Sequence, residues 1–340
     1  MRQAFGDMIG NDELRRAFAA ELASHRLSHA YILEGARGSG KHMLALRIAA
    51  ALACEHRDDT DTPLPCMHCP ACKKILDGNS PDVIYINRDD KATLGVEAVR
   101  DLKSDVYIAP NDIGTKIYII EEAHLLTTQA QNALLLTLEE PPAYVLFLLL
   151  CESTATLLET VRSRAPTRRL EPIPPEQIAE HLRRHVPEAA RMDVQELLEI
   201  VTAADGSIGR ATALLDPKLY KPITERRRAA REFVSLCLQK RNGAHVLRFL
   251  NALGAKRDEL TAQCNEILLC LRDLLLCKQT EHAPLCFFSN REEACSLAYS
   301  FTTPTLLALC DSVGKTIEKL RQNANVRLTL IALATDCGLL

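Results

Sequence analysis

The chain has 340 residues, 47% hydrophobic and 25% charged, with a formal net charge of -3. That length suits two or three domains, each with its own core, and the near-neutral balance excludes a protein that grips nucleic acid by bulk basicity, so DNA contact would need a local patch. Thirteen cysteines, an odd count with several inside apolar helical stretches, exclude a disulfide framework and fit the reduced thiols of a cytoplasmic protein. The opening residues lack the apolar core of a signal peptide. The longest apolar run, 144–151, is far too short to cross a bilayer, so no membrane partner is expected.

In chain order, a short apolar strand is predicted at 30–33, followed by Gly35-Ala36-Arg37-Gly38-Ser39-Gly40-Lys41-His42 and an amphipathic helix over 41–53. A strand, a glycine-rich turn and a helix start in that order form a phosphate loop. Gly35, Gly38 and Gly40 let backbone N–H groups face a phosphate, the helix terminus adds its dipole, and Lys41 supplies a point charge. His42 stands where Ser or Thr would offer a hydroxyl to magnesium, and imidazole is a poor ligand for that hard cation.

Just after this helix come Cys54, Cys66, Cys69 and Cys72. Four thiolates at this spacing can close a tetrahedron around one zinc ion and leave no position for a catalytic water, so the site is structural. His68 could replace one thiolate, but is read as a solvated knuckle residue.

Further strands are predicted at 82–86, 116–120, 144–150 and 167–170, with a helix at 127–139. This alternation predicts a largely parallel sheet flanked by helices, an α/β P-loop domain. The strand at 116–120 ends in Glu121 and Glu122. Glu121 would face magnesium, although the usual residue is the shorter Asp, and Glu122 is a candidate water-orienting base. His124 is read as a packing or hydrogen-bonding residue, not a catalyst. Ser163-Arg164 and Arg210, within Gly206–Ala211, are candidate charge-stabilising arginines.

From Glu171-Pro172-Ile173-Pro174-Pro175 onward the pattern is helical. Four stretches reach about Leu215, and a second block follows, in which Leu306, Leu307, Cys310, Val313, Ile317 and Leu320 form an apolar stripe.

Several segments together resemble the bacterial AAA+ clamp-loader subunits of DNA polymerase III. They are Phe5-Gly6-Asp7-Met8-Ile9-Gly10, Ser28-His29-Ala30-Tyr31-Ile32-Leu33-Glu34-Gly35, the cysteine knuckle, and Ile119-Ile120-Glu121-Glu122-Ala123-His124. Ala130-Gln131-Asn132-Ala133-Leu134-Leu135, Leu138-Glu139-Glu140-Pro141-Pro142, Ser163-Arg164, Gly206–Ala211 and Asn323-Ala324-Asn325-Val326 extend the match. The resemblance implies three parts. These are an AAA+ domain over 1–166 with the zinc insertion at 54–72, a helical lid over 167–217, and a helical collar over 218–340 that assembles five subunits into a ring.

It also implies partners: the motor subunits (gamma/tau), a delta subunit, the sliding clamp and primer-template DNA. By the same resemblance, Arg164 would act in trans on a neighbour's ATP and Arg210 would be the lid arginine. His42 and Glu121 depart from the motor pattern, Ala165 replaces a frequent cysteine, and Thr137 stands where relatives carry lysine. These departures, and a chain that stops soon after Cys337, favour a stator that lends an arginine while its own ATPase activity is weak or absent. No polymerase metal site is present in the sequence. Two other readings stand beside it: an active motor ATPase working through Lys41 and Glu122, and a zinc-containing scaffold with a vestigial nucleotide site.

Overall fold

The computed structural model describes residues 5–6, 8–59, 61–87, 93–239, 246, 249, 256–280, 285–322 and 324–339; Asp7 and Asn323 of the motifs above lie outside them. The chain divides into two compact units, Met1–Ile173 with Gly206–Gly209, and Pro174–Asp205 with Arg210–Leu340.

The first unit is built on five parallel strands: β1 (Ala30–Glu34), β2 (Val83–Ile86), β3 (Lys116–Ile120), β4 (Val145–Cys151) and β5 (Thr167–Arg169). Their order is β2-β3-β4-β1-β5. β1 lies centrally, pairing Ala30 with Phe147 of β4 and Ile32 with Thr167 of β5. Every residue of β1, β3 and β4 is buried, as continuous apolar strands with covered faces require.

One face carries α1 (Asp12–Ala23), α2 (Lys41–Ala53) and the knuckle helix α3 (Pro70–Leu76), with Phe18, Leu44, Ile48 and Ile75 in a shared core. The other carries α4 (Val96–Asp105), α5 (Thr128–Glu139) and α6 (Glu159–Arg162), which pack Val99, Leu134 and Val161 against Tyr118 and Phe147. This is the largely parallel sheet flanked by helices that the alternating pattern predicts.

Predicted bounds at 116–120 and 41–53 coincide with β3 and α2. Other ends move by one residue. Asp82 stays out of β2, and Tyr144 and Leu170 fall outside β4 and β5. Glu34 and Cys151 instead complete β1 and β4. Thr127 lies just before α5 as its cap, accepting from the Ala130 N–H through its hydroxyl.

Asp82 leaves its strand for a reason. Its fully buried carboxylate accepts the N–H groups of Asn111, Asp112 and Ile113 at 2.7, 2.6 and 2.8 Å, pinning the turn that leads into β3. Burial pushes this carboxyl up, but the three N–H donors and nearby Lys116 outweigh it and hold it below the usual range. The stability it contributes is therefore present above the unfolded pKa of about 4 and is lost as pH falls through the lower folded value. Asp82→Ala should cost about 2–3 kcal/mol in urea unfolding. It should also flatten the acid limb of the stability profile; an unchanged limb would assign that limb to other groups.

Among its described residues the second unit has helices and no strands. It comprises α7 (Pro175–His185), α8 (Pro187–Arg191), α9 (Val194–Ala203), the part of α10 (Ile208–Leu214) from Arg210 on, α11 (Pro217–Gln239), α12 (Arg257–Gln279), α13 (Arg291–Tyr299), α14 (Thr303–Arg321) and α15 (Val326–Asp336). The four helical stretches expected before residue 215 are α7 to α10. A core of Phe233, Ile267, Leu271, Phe287 and Val313 joins α11 to α15. Two charged side chains, half-buried Arg227 and fully buried Asp273, tie the segment after α12. Arg227 donates to the carbonyls of Phe287 and Cys286, while Asp273 accepts the N–H groups of Cys286, Phe287 and Phe288.

The predicted stripe on α14 is only partly inward. Leu306, Val313, Ile317 and Leu320 are buried, whereas Leu307 is 55% exposed and Cys310 is half-buried. A strip wider than the contact made by neighbouring helices leaves its margin in water. Among the described residues no helix is long and apolar enough to cross a membrane.

Candidate nucleotide site and metal centre

The carboxyl ends of β1, β3 and β4 bring Gly38, Gly40, Lys41, Glu121 and Glu122 to one place, as expected for an open parallel sheet. A cavity of about 740 Å³ is lined by Gly38, Ser39, Gly40, Lys41, His42, Glu121, Glu122, His124, Cys151, Glu152 and Gly209, among others. Gly40 caps α2 at φ 95°, a conformation that an L side chain rarely adopts, and Gly38 has φ 75°. Gly35 starts the loop with its N–H bonded to the Cys151 carbonyl at 3.1 Å.

Lys41 folds back over the loop, its ammonium donating to the carbonyls of Gly35 and Ala36 at 2.7 and 2.8 Å. Burial lowers its pKa, with Glu152 and Cys151 opposing. The Ser39 hydroxyl is buried without a hydrogen-bond partner.

His42 and Glu121, each a departure from the magnesium-handling pattern, meet each other. Nδ1 of His42 lies 2.7 Å from Oε1 of Glu121, and the imidazole stacks on Tyr85 with ring centroids 5.8 Å apart. That bond holds the Glu121 carboxyl below its usual range against the opposing effect of burial. Magnesium needs a near-octahedral shell of oxygens at about 2.0–2.1 Å. An imidazole bonded directly to the carboxylate supplies neither the oxygen nor the space, so these residues do not fit the ion. Glu122 lines the cavity with backbone φ 48°, and His124 Nδ1 accepts the Glu152 N–H at 3.4 Å.

Glu34 escaped the sequence reading because it ends an apolar strand. Its carboxylate, 8% exposed, accepts Arg169 Nη2 at 3.0 Å and the Thr154 N–H at 3.0 Å. Burial raises its pKa, but those two donors more than reverse the effect. The side chain thereby ties the entry of the phosphate loop to β5 and to the turn after β4. An acidic residue directly before the glycine loop was the available signal.

Arg164 is elsewhere on this unit, just after α6. Its Nη1 donates to the Thr160 carbonyl at 2.8 Å, and its Nη2 pairs with Glu139 Oε1 at 2.5 Å with the guanidinium about one-third exposed. Arg210 is exposed on α10 and belongs to the second unit, one residue beyond Gly209.

The four knuckle cysteines converge. Cys54, Cys66, Cys69 and Cys72 are all buried, and their sulfurs lie within 4.8 Å of one another. Cys69 caps α3, accepting the Cys72 N–H at 3.4 Å, with Pro70 at the first helical position; Cys66 accepts the Cys69 N–H at 3.3 Å. Burial opposes ionisation of Cys66, but N–H donors from His68 and Cys69 bring its pKa down to about 6, whereas burial pushes Cys72 up. The buried four-sulfur set fits a tetrahedral thiophilic ion, and the cluster could hold a metal.

Geometry and topology thus define the first unit as a phosphate-loop α/β module with a cysteine knuckle. Residues 10–174, just under half of the chain, match the family model described as DNA polymerase III, delta subunit. DNA polymerase III subunit tau of Bacillus subtilis is 37% identical over 216 residues, which make up 63% of this chain and 37% of that protein. Subunit tau of Escherichia coli is 36% identical over 215 residues, 63% of this chain and 33% of that one. A solved gamma subunit-related protein from Thermotoga maritima aligns with 94% of this chain and 98% of its own at 17% identity and a TM-score of 0.42, too loose to add to the sequence matches. The chain spans roughly a third of the length of these tau relatives. Through the matched region the chain is similar to these DNA polymerase III subunits.

Proposed function

We propose that this chain is a delta-prime-type, non-motor subunit of a bacterial clamp loader. On this reading it sits in a five-membered cytoplasmic ring with gamma/tau motors and a delta subunit, helping to place the sliding clamp on primer-template DNA. The observation that carries the reading is the 2.7 Å bond between His42 and Glu121. Two residues that would each handle magnesium poorly satisfy one another instead, which leaves the phosphate loop shaped for a nucleotide but unequipped for metal-assisted hydrolysis. The expected lid (167–217) and collar (218–340) remain part of this proposal. Zinc in the knuckle would be structural.

The chemistry offered to the neighbour is that of Arg164. In the isolated chain its guanidinium rests on Glu139 and the Thr160 carbonyl. An exposed ion pair of this kind is worth at most about 1 kcal/mol, so a neighbour's phosphates can displace it. Glu139 would then keep the long side chain in place before assembly, and Arg164 would stabilise charge on the transferring phosphoryl group.

A motor reading is favoured by a different observation: the 36–37% identical relatives are named tau, and Lys41 and Glu122 are retained in the cavity. The test is ATP binding by the isolated chain, with magnesium or with EDTA. The stator reading expects affinities within about threefold of each other, and expects the His42→Thr/Glu121→Asp double variant to gain at least roughly tenfold in magnesium. Magnesium-dependent tight binding and turnover by the natural chain would overturn it.

A further inference from the structure

We propose that His56, Cys66 and His68 form a second cation site, for a borderline-soft divalent ion such as zinc, that shares the Cys66 thiolate with the four-cysteine centre. The donor atoms of these three residues also lie within 4.8 Å of one another, close to the separation of ligands on one tetrahedral ion. The same two backbone segments supply both sets. His56 follows Cys54 by two residues, and His68 lies between Cys66 and Cys69.

The protonation of His68 fits a ligand. Its Nδ1 lies 2.7 Å from the Cys66 carbonyl oxygen. A carbonyl can only accept, so Nδ1 carries the proton and, in the neutral ring, Nε2 keeps its lone pair. A backbone carbonyl on the far nitrogen is the usual way a ligating imidazole is oriented. The His56 ring lies alongside, its centroid 5.5 Å from that of His68 and tilted by 33°.

Charge points the same way. Four thiolates around one divalent ion leave two net negative charges in a buried place, which is costly without a counter-ion. A second divalent ion bound through neutral imidazoles and the shared Cys66 sulfur cancels them. His56 is half-buried and His68 exposed, so this ion meets solvent, keeps an open coordination position, and exchanges more readily than the first. The proposal rests on metal occupancy of the four-cysteine centre, and its test separates the two.

The untagged full chain, stripped of metal, is titrated with Co²⁺ while the thiolate–cobalt absorption and bound cobalt are followed. Two ions per chain are expected, the second at least roughly tenfold weaker, and His56→Ala/His68→Ala should bind one with the first step unchanged. One ion per chain in both proteins overturns the second site and leaves the four-cysteine centre standing. Two ions in the double variant also overturn it, and no cobalt in the natural chain overturns both sites.

Discussion

Cys69→Ser should lower the melting temperature of this protein by roughly 10 °C, and chelation of the natural chain should have the same effect. Each ligand of the knuckle is buried, and Cys69 both joins the four-sulfur cluster and caps α3. Removing it leaves three crowded sulfurs without their ion and frees the first turn of the helix. In a zinc peptide the whole fold is lost, because metal binding is the folding free energy. Here the sheet has its own apolar faces, with Ile117, Ile119, Leu146 and Leu148 packed independently of any metal. The loss is therefore partial, about 3–4 kcal/mol, which in a unit of this size corresponds to that shift. Below the new melting point, ATP turnover by the assembled complex should stay within about twofold. Turnover lost at unchanged stability would contradict a structural centre.

Arg164→Ala in this chain alone should cut clamp- and DNA-stimulated ATP hydrolysis by the complex about a thousandfold, the scale reported for a trans-acting arginine. That corresponds to about 4 kcal/mol of transition-state stabilisation. Arg164→Lys should recover little, since a point charge cannot reproduce the planar fork that spreads over two phosphate oxygens. Glu139→Gln removes only an exposed partner of the arginine and should change turnover by less than about fivefold. A full rate with Arg164→Ala would mean that the guanidinium never reaches a neighbour's nucleotide.

Much of the first unit was legible because its signals are local. The end of β3 at Glu121 and the start of α2 at Lys41 are fixed by a strand-to-turn change and by a glycine that only a loop tolerates. The strand order was not legible, since pairing β1 between β4 and β5 depends on contacts across most of the unit. Of the candidate residues, Gly38, Gly40, Lys41, Glu121 and Glu122 come together in one cavity, but the bonds between them were not legible. His42 and Glu121 looked like two separate defects because nothing in a linear sequence reports that they touch. Glu34 was hidden by its apolar neighbours, and Glu139 appeared only as one letter of a motif until the fold set it against Arg164. In the second unit an amphipathic period identifies a helix but not how wide a neighbour covers it, which is why Leu307 faces solvent.

The most direct test of the central claim compares Lys41→Ala with Arg164→Ala, each introduced in this chain within an otherwise natural reconstituted complex, by steady-state ATP hydrolysis with clamp and primed DNA. A stator predicts near-natural turnover for the lysine variant and loss for the arginine variant. Loss with the lysine variant and natural turnover with the arginine variant would make this chain a motor, and would contradict the role assigned to the His42–Glu121 bond.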